Sequence, residues 1–241
     1  MSQENSTFSF FPHLNAENDM QWASSRSTLT ASIAERFFTS NSLQDKLVNA
    51  IATEKVLPIK EVLEGFEFVA KARKAVRTHT VADLCCGHGL VGMLMGIFEK
   101  KVQKVILVDK SEPPSHRALF DAVADVCPWI RDKVVFQARK LALVELPKGT
   151  SVVSAHACGK LTDDCMDIAI DATANLAVMP CCYPRRNCNA PNAVLNQFGE
   201  AYAFDIDRTY RLENAGYKVK WSHIPDSITP MNRILIGKRP N

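Results

Sequence analysis

Val81-Ala-Asp-Leu-Cys-Cys-Gly-His-Gly-Leu-Val-Gly92 joins an apolar run ending near an acidic residue, a turn with two glycines, and the start of an amphipathic segment. It is read as a cofactor-binding strand, loop and helix. Gly87 and Gly89 lack a Cβ and let backbone approach a ligand closely, while the following helix offers its unpaired N–H groups at the same place. Asp83, at the strand's end, is expected to face that ligand too.

Outward from this stretch, short apolar runs alternate with amphipathic segments, which argues for parallel strands joined by crossover helices. Strands are expected at Thr80–Leu84, Lys104–Asp109, Lys133–Ala138, Ser151–His156 and Asn175–Met179, with helices at about 90–99, 114–126 and 162–172. A further helix near 199–215 stops at Gly216, and two last strands follow at Tyr217–Ile224 and Arg233–Lys238. The expected fold is therefore α/β, a Rossmann-like seven-stranded sheet over 77–241 in the order of a class I methyltransferase. Upstream, residues 1–26 are polar, interrupted by Pro12, with Phe8, Phe10 and Phe11 docking on the body. Helical periodicity then predicts helices over 27–38 and 42–53, and a third with Pro58 in its first turn and a face of Ile59, Val62, Leu63, Phe66 and Val69. Residues 1–76 are read as a helical N-terminal extension.

Composition limits the classes. A chain of 241 residues that is 46% hydrophobic can bury a real core, and a net charge of +3 permits a nucleic-acid partner without demanding one. No stretch approaches the roughly 18 apolar residues of a membrane span, and the N-terminus has no secretory pattern, so a cytoplasmic protein with no membrane partner is expected. The eight cysteines are read as reduced thiols. The basic run Lys71–Arg77 is read as a solvated face, with phosphate contact second.

The glycine loop departs from a dinucleotide fingerprint: after Asp83 the spacing is D-x-C-x-G-x-G, with Cys85 where a first glycine would stand. That is closer to an S-adenosylmethionine loop, with Asp83, Cys85, Cys86, Gly87 and Gly89 around the cofactor. Asp109, followed by Lys110, closes the second strand where its carboxylate would accept hydrogen bonds from a ribose diol. After the third strand no carboxylate is available for adenine, which leaves Gln137 and the backbone near Ala138. Ser154-Ala-His-Ala-Cys-Gly-Lys-Leu-Thr-Asp-Asp164 follows the fourth strand. There His156 is a candidate base or pocket-lining group, Lys160 an electrostatic stabiliser, and Thr162 or Asp163 a helix cap. Met179-Pro-Cys-Cys-Tyr-Pro-Arg-Arg-Asn-Cys188 follows the fifth. Its Tyr183, Arg185 and Arg186 suit a planar or phosphorylated substrate. Its thiols are small unreactive cysteines, metal ligands or a nucleophile. With no C-x-x-C pair present, no metal is expected.

DLCCGHGLVG, HACGKLTDD, MPCCY and ITPMNR, in this order, resemble the methyltransferase group that includes the acceptor-stem tRNA 2′-O-ribose methyltransferases. The resemblance covers about residues 78–240. It implies an S-adenosylmethionine-dependent enzyme with Asp83, Gly87, Gly89 and Asp109 at the cofactor, and His156, Cys158, Asp163, Cys181 and Cys182 at the transfer site. His156, Lys160 and Tyr183 are the candidate catalytic groups. The tRNA enzymes carry an N-terminal zinc-finger region and usually a histidine after the paired cysteines. This chain has no cysteine before Cys85 and has Tyr183 in the later position. RNA and a small molecule, with the N-terminal helices as a lid, both stand as acceptors, beside a non-catalytic cofactor-binding module.

Overall fold

The computed structural model describes residues 7–183 and 188–240. Seven strands, β1 (Thr80–Leu84), β2 (Lys104–Asp109), β3 (Val134–Ala138), β4 (Thr150–Ser154), β5 (Leu176–Val178), β6 (Lys218–His223) and β7 (Arg233–Lys238), form one sheet in the order β3-β2-β1-β4-β5-β7-β6. The first five are parallel, and β7 runs antiparallel to both β5 and β6. This is the class I methyltransferase topology. The carboxyl ends of β1, β2, β4 and β5 share one edge, and the chain order reverses between β1 and β4, where such sheets hold their ligands.

Alternation along the strands divides the core. Val81, Val105, Leu107, Val153, Ala177 and Ile236 face one layer, while Ala82, Ile106, Val108, Val152, Leu176 and Leu235 face the other. The first layer holds α3 (Ile59–Val76), α4 (Leu90–Phe98) and α5 (Pro114–Val126), and the second holds α6 (Lys160–Asp171) and α7 (Asn192–Asn214). α1 (Ala31–Phe37) and α2 (Leu43–Glu54) add outer packing to the first layer. Residues 8–76 have no core of their own. Their apolar side chains are continuous with those of the sheet, and α3 packs against β4, β5, β6 and β7 as a layer helix. Each strand bound agrees with its expected place within two residues. The largest departure is α7, which begins at Asn192 and passes through a kink at Gly199 (φ 76°, ψ 168°). Pro191 starts its first turn, and the exposed Phe198 has no apolar face to report it in the sequence.

The N-terminal aromatics dock as expected. Phe11 packs on Phe66 and Phe38, and Phe10 lies on Phe98. Burial alone would not fix their register. The carboxylate of Glu67, deep in α3, accepts from the backbone N–H groups of Ser9 (2.7 Å) and Phe10 (2.8 Å), so an extended segment is tied to a helix 58 residues away. Burial raises the Glu67 pKa. Glu67→Ala leaves two N–H groups without their acceptor and is expected to cost about 1–3 kcal/mol. Urea unfolding and protease cleavage within residues 8–16 measure this. An unchanged midpoint with unchanged cleavage would show that the phenylalanines alone hold the segment.

Candidate functional site

The loop after β1 is built on a substitution the sequence made conspicuous. Cys85 adopts φ 55°, the left-handed conformation that a glycine takes without strain, and Gly87 (φ 53°) and Gly89 (φ 86°) continue the turn. A Cβ on Gly89 would lie 2.5 Å from a Leu107 methyl, so this position also closes α4 onto β2. Around Gly87 nothing lies within 4 Å of where a side chain would begin, which leaves the crest of the loop open. Asp109 meets it from β2, accepting from Gly87 N (2.9 Å) and from Lys110 N (2.7 Å). The side chain of His88 pairs with Ser115, and its carbonyl is 2.8 Å from Nδ1 of the buried His116.

Asp83 has a different place from the one expected. It is buried, with its carboxylate turned inward to accept from Gly92 N in the first turn of α4 (2.8 Å). Desolvation raises its pKa to about 7. Its role in this structure is to clamp strand to helix, a place the motif alone could not distinguish from ligand contact. Gln137 and Ala138 close β3 beside β2, and the amide of Arg139 donates to Asp109 O (2.7 Å). An open glycine crest, a carboxylate at the next strand end and a polar backbone edge beyond it suit the methionyl, ribose and adenine parts of S-adenosylmethionine respectively.

Beyond β4 and β5 two loops converge. His156 sits where surrounding protein lowers its pKa, chiefly by desolvation, so its imidazole is neutral and able to accept a proton, while 41% of its side chain remains open. Its Nε2 is 3.8 Å from Oε2 of Glu64, a carboxylate on α3 that is 97% buried by exposure of 3%. Lys60 pairs with the other oxygen, and burial raises the Glu64 pKa. Glu61, one turn earlier, acts electrostatically on both His156 and His88. These two acidic groups were missed in the sequence because a helical face read for its apolar residues gives no sign of what stands at its far edge. Cys158 Sγ lies 3.1 Å from Cys181 Sγ, which is 3.7 Å from Cys182 Sγ. Cys85 lies instead against Cys165, whose hydrogen bond lowers the Cys85 pKa, and burial raises that of Cys86.

Three expected site residues have other duties. Lys160 is exposed and ion-paired with Asp164, which raises its pKa and keeps it cationic at the surface. Asp163 takes both Nε and Nη2 of Arg208 at 3.0 Å and so anchors α7. Tyr183 donates to Asp205 Oδ2 (3.0 Å), and burial followed by the Asp205 charge raises its pKa, so the hydroxyl stays protonated and occupied. Arg208, 1% exposed, also reaches Asp205 (3.5 Å) and the carbonyl of Gly159 (3.5 Å), and Arg233 Nε completes Asp205 at 2.8 Å. The network therefore ties down the residue after Cys158 and the residue after Cys182. Arg185 and Arg186 lie outside the described residues.

Among known proteins, the family described as a methyltransferase domain matches residues 57–187. A curated relative, a glutathione S-transferase C-terminal domain-containing protein of Xenopus laevis, is 26% identical over an alignment of 193 residues that covers 66% of this chain. The chain spans only 30% of that relative's length. Among solved structures, an O-methyltransferase family protein from Burkholderia thailandensis is 16% identical, with 88% of this chain and 64% of that one covered and a TM-score of 0.45. The Pyrococcus abyssi tRNA (uracil-54, C5)-methyltransferase in complex with S-adenosyl-L-homocysteine is 12% identical, covering 73% and 38%, at 0.45. The B. subtilis M1A22 tRNA methyltransferase is 8% identical, covering 70% and 64%, at 0.46. Scores of this size carry no argument about function, and the fold rests on the strand order above.

Two outcomes follow from the buried charges. Asp83 has a folded-state pKa of about 7, above its ordinary 3.8, so its contribution to stability is full below about pH 4 and is lost progressively as pH rises from there to about 7. The slope approaches about 1.4 kcal/mol per pH unit. Asp83→Asn keeps an acceptor for Gly92 N and removes the ionisation, so urea midpoints at pH 5 and pH 8 should differ less in the variant than in the parent. Arg208→Met removes the buried partner of Asp163, which keeps Arg211 at 3.3 Å, and one of the two arginines on Asp205, at an expected cost of about 1.5–3 kcal/mol in the same measurement.

Proposed function

The chain belongs to the methyltransferase-domain family, and from that premise we propose that it transfers a methyl group from S-adenosylmethionine to a small nucleophile that is neutral or cationic. When bound, the cofactor supplies an electrophilic sulfonium methyl. The chain's own residues hold the rest of the chemistry. Gly87, Gly89 and the backbone of 85–89 give the cofactor room, Asp109 accepts from its ribose, and Gln137 with Ala138 borders its base. His156, neutral and half-open at the neighbouring strand end, takes the proton of an acceptor hydroxyl. An amine or thiol acceptor needs less of that help. Most of the rate comes from position, because two loops fixed to one buried network hold their groups still.

One observation carries the choice of acceptor: the charged group acting most strongly on His156 is the carboxylate of Glu61 on α3, ahead of Lys60, which is itself paired with Glu64. A polyanionic backbone is disfavoured beside that carboxylate, whereas a small cation or neutral molecule is not. Among the described residues, two cations of the basic run of α3 are engaged away from the site. Arg73 and Arg77 pair with Glu99 at the other end of α4, and Arg73 also donates to the Phe98 carbonyl. From Glu64 to Arg73 along the helix is roughly 14 Å. The 2′-O-ribose tRNA reading and the non-catalytic module are alternatives that the same experiment separates. Incubation with labelled S-adenosylmethionine, total RNA and a metabolite extract is expected to place label in the low-molecular-weight fraction. Label in RNA overturns the acceptor class, and cofactor binding with no transfer to either supports the module. His156→Ala should lower turnover by roughly 10²–10⁴ for a hydroxyl acceptor while calorimetry shows unchanged cofactor affinity.

A further inference from the structure

The sulfurs of Cys158, Cys181 and Cys182 all lie within 4.8 Å of one another although the sequence separates Cys158 from the pair by more than twenty residues. Neighbouring parallel strands bring them together: Cys158 stands four residues past the end of β4, and the pair stands just past β5. We propose that these three thiols form a binding site for a thiophilic divalent cation, Zn²⁺, with its fourth position open to the cleft beside His156.

Geometry supports it first. Tetrahedral zinc with bonds of about 2.3 Å to sulfur sets its sulfurs about 3.8 Å apart. The two closest separations here, 3.1 and 3.7 Å, reach that arrangement by small side-chain rotations. Exposure comes next. Small buried thiols need no ligand to explain them. Cys158 and Cys182, however, are exposed, and Cys181 is only partly covered. Among the described residues, the sulfurs find no hydrogen-bond partner except one another. A Zn²⁺ ion held by three thiolates displaces three protons to solvent.

The frame is also in place before any ion arrives. Gly159, the residue after Cys158, has its carbonyl within reach of Arg208, and Tyr183, the residue after Cys182, donates to Asp205. One buried network thus sets both ligand loops. Among the described residues no carboxylate or histidine joins the three sulfurs as a fourth ligand, the donor count of a site that keeps a position for water or substrate. Three soft sulfur donors select zinc over hard cations such as magnesium. Binding of the ion is independent of the activity proposed above. Its consequence there, polarising an acceptor hydroxyl or thiol so that it loses its proton more readily, rests on that reading.

Fully reduced, chelator-treated full-length protein titrated with Co²⁺ as an optical probe tests the site. A sulfur-to-cobalt charge-transfer band saturating at one Co²⁺ per chain and displaced by Zn²⁺ is expected. Cys158→Ser, Cys181→Ser and Cys182→Ser should each weaken binding by more than the roughly 10–100-fold that changes outside the ligand shell produce. Cys188→Ser should leave it unchanged. Thermal melts confirm that each variant is folded, and the single variants are compared only where they are. Absence of the band in the reduced parent, or its persistence when all three cysteines are serine, overturns the proposal. Calorimetry with S-adenosylmethionine on the same samples keeps the two readings apart: ion binding without cofactor binding retains this site and removes the methyltransferase activity.

Discussion

A guanidinium with 1% exposure must be matched by carboxylates, and Arg208 meets that requirement with Asp163 on α6 and Asp205 on its own helix. Either carboxylate alone would leave a buried ion badly compensated. The requirement reaches further than α6 and α7. Asp205 also receives Arg233 from the start of β7 and the hydroxyl of Tyr183 from the loop after β5, while Arg208 touches the carbonyl of Gly159 after β4. Two helices, an antiparallel strand and two site loops therefore share one electrostatic solution. None can shift far without exposing a charge to an apolar surrounding.

The other side of the site is set by close packing. Gly89 and Leu107 leave no room for an added methyl, and the Asp83 carboxylate draws the first turn of α4 against β1. The loop between them is thereby held with its crest open and Asp109 at its flank. The cleft consequently has two unlike walls. One is backbone, small residues and a single carboxylate, shaped for a nucleoside. The other, across β4 and β5, carries an open imidazole, sulfur, and carboxylates from α3.

Much of this was legible in the chain. Short apolar runs alternating with amphipathic segments, and the Gly216 stop, placed seven strands close to where they lie, because strands buried on both faces read as near-continuous apolar runs. D-x-C-x-G-x-G located the loop, and the structure explains the odd member: Cys85 takes the glycine conformation. The roles of Asp83, Asp163 and Tyr183 were less legible. Each is a polar residue beside a motif, and the partner that claims it, Gly92, Arg208 or Asp205, is identified only by packing. The closeness of Cys158 to Cys181 and Cys182 was not legible for the same reason, since residues brought together from two strand ends have no characteristic interval.

By itself the sequence determined the alternation of strands and helices, the sheet class, the glycine loop and the set of polar residues at the strand ends, because these depend on local periodicity and on conformations that few residues adopt. Only the tertiary structure decided which of those residues turn inward as clamps and which remain open. It also made α3 a wall of the site rather than part of a separate extension. Burial and charge pairing depend on residues far apart in the chain, and a side chain's surroundings, not its type, determine whether it holds the fold together or meets a ligand.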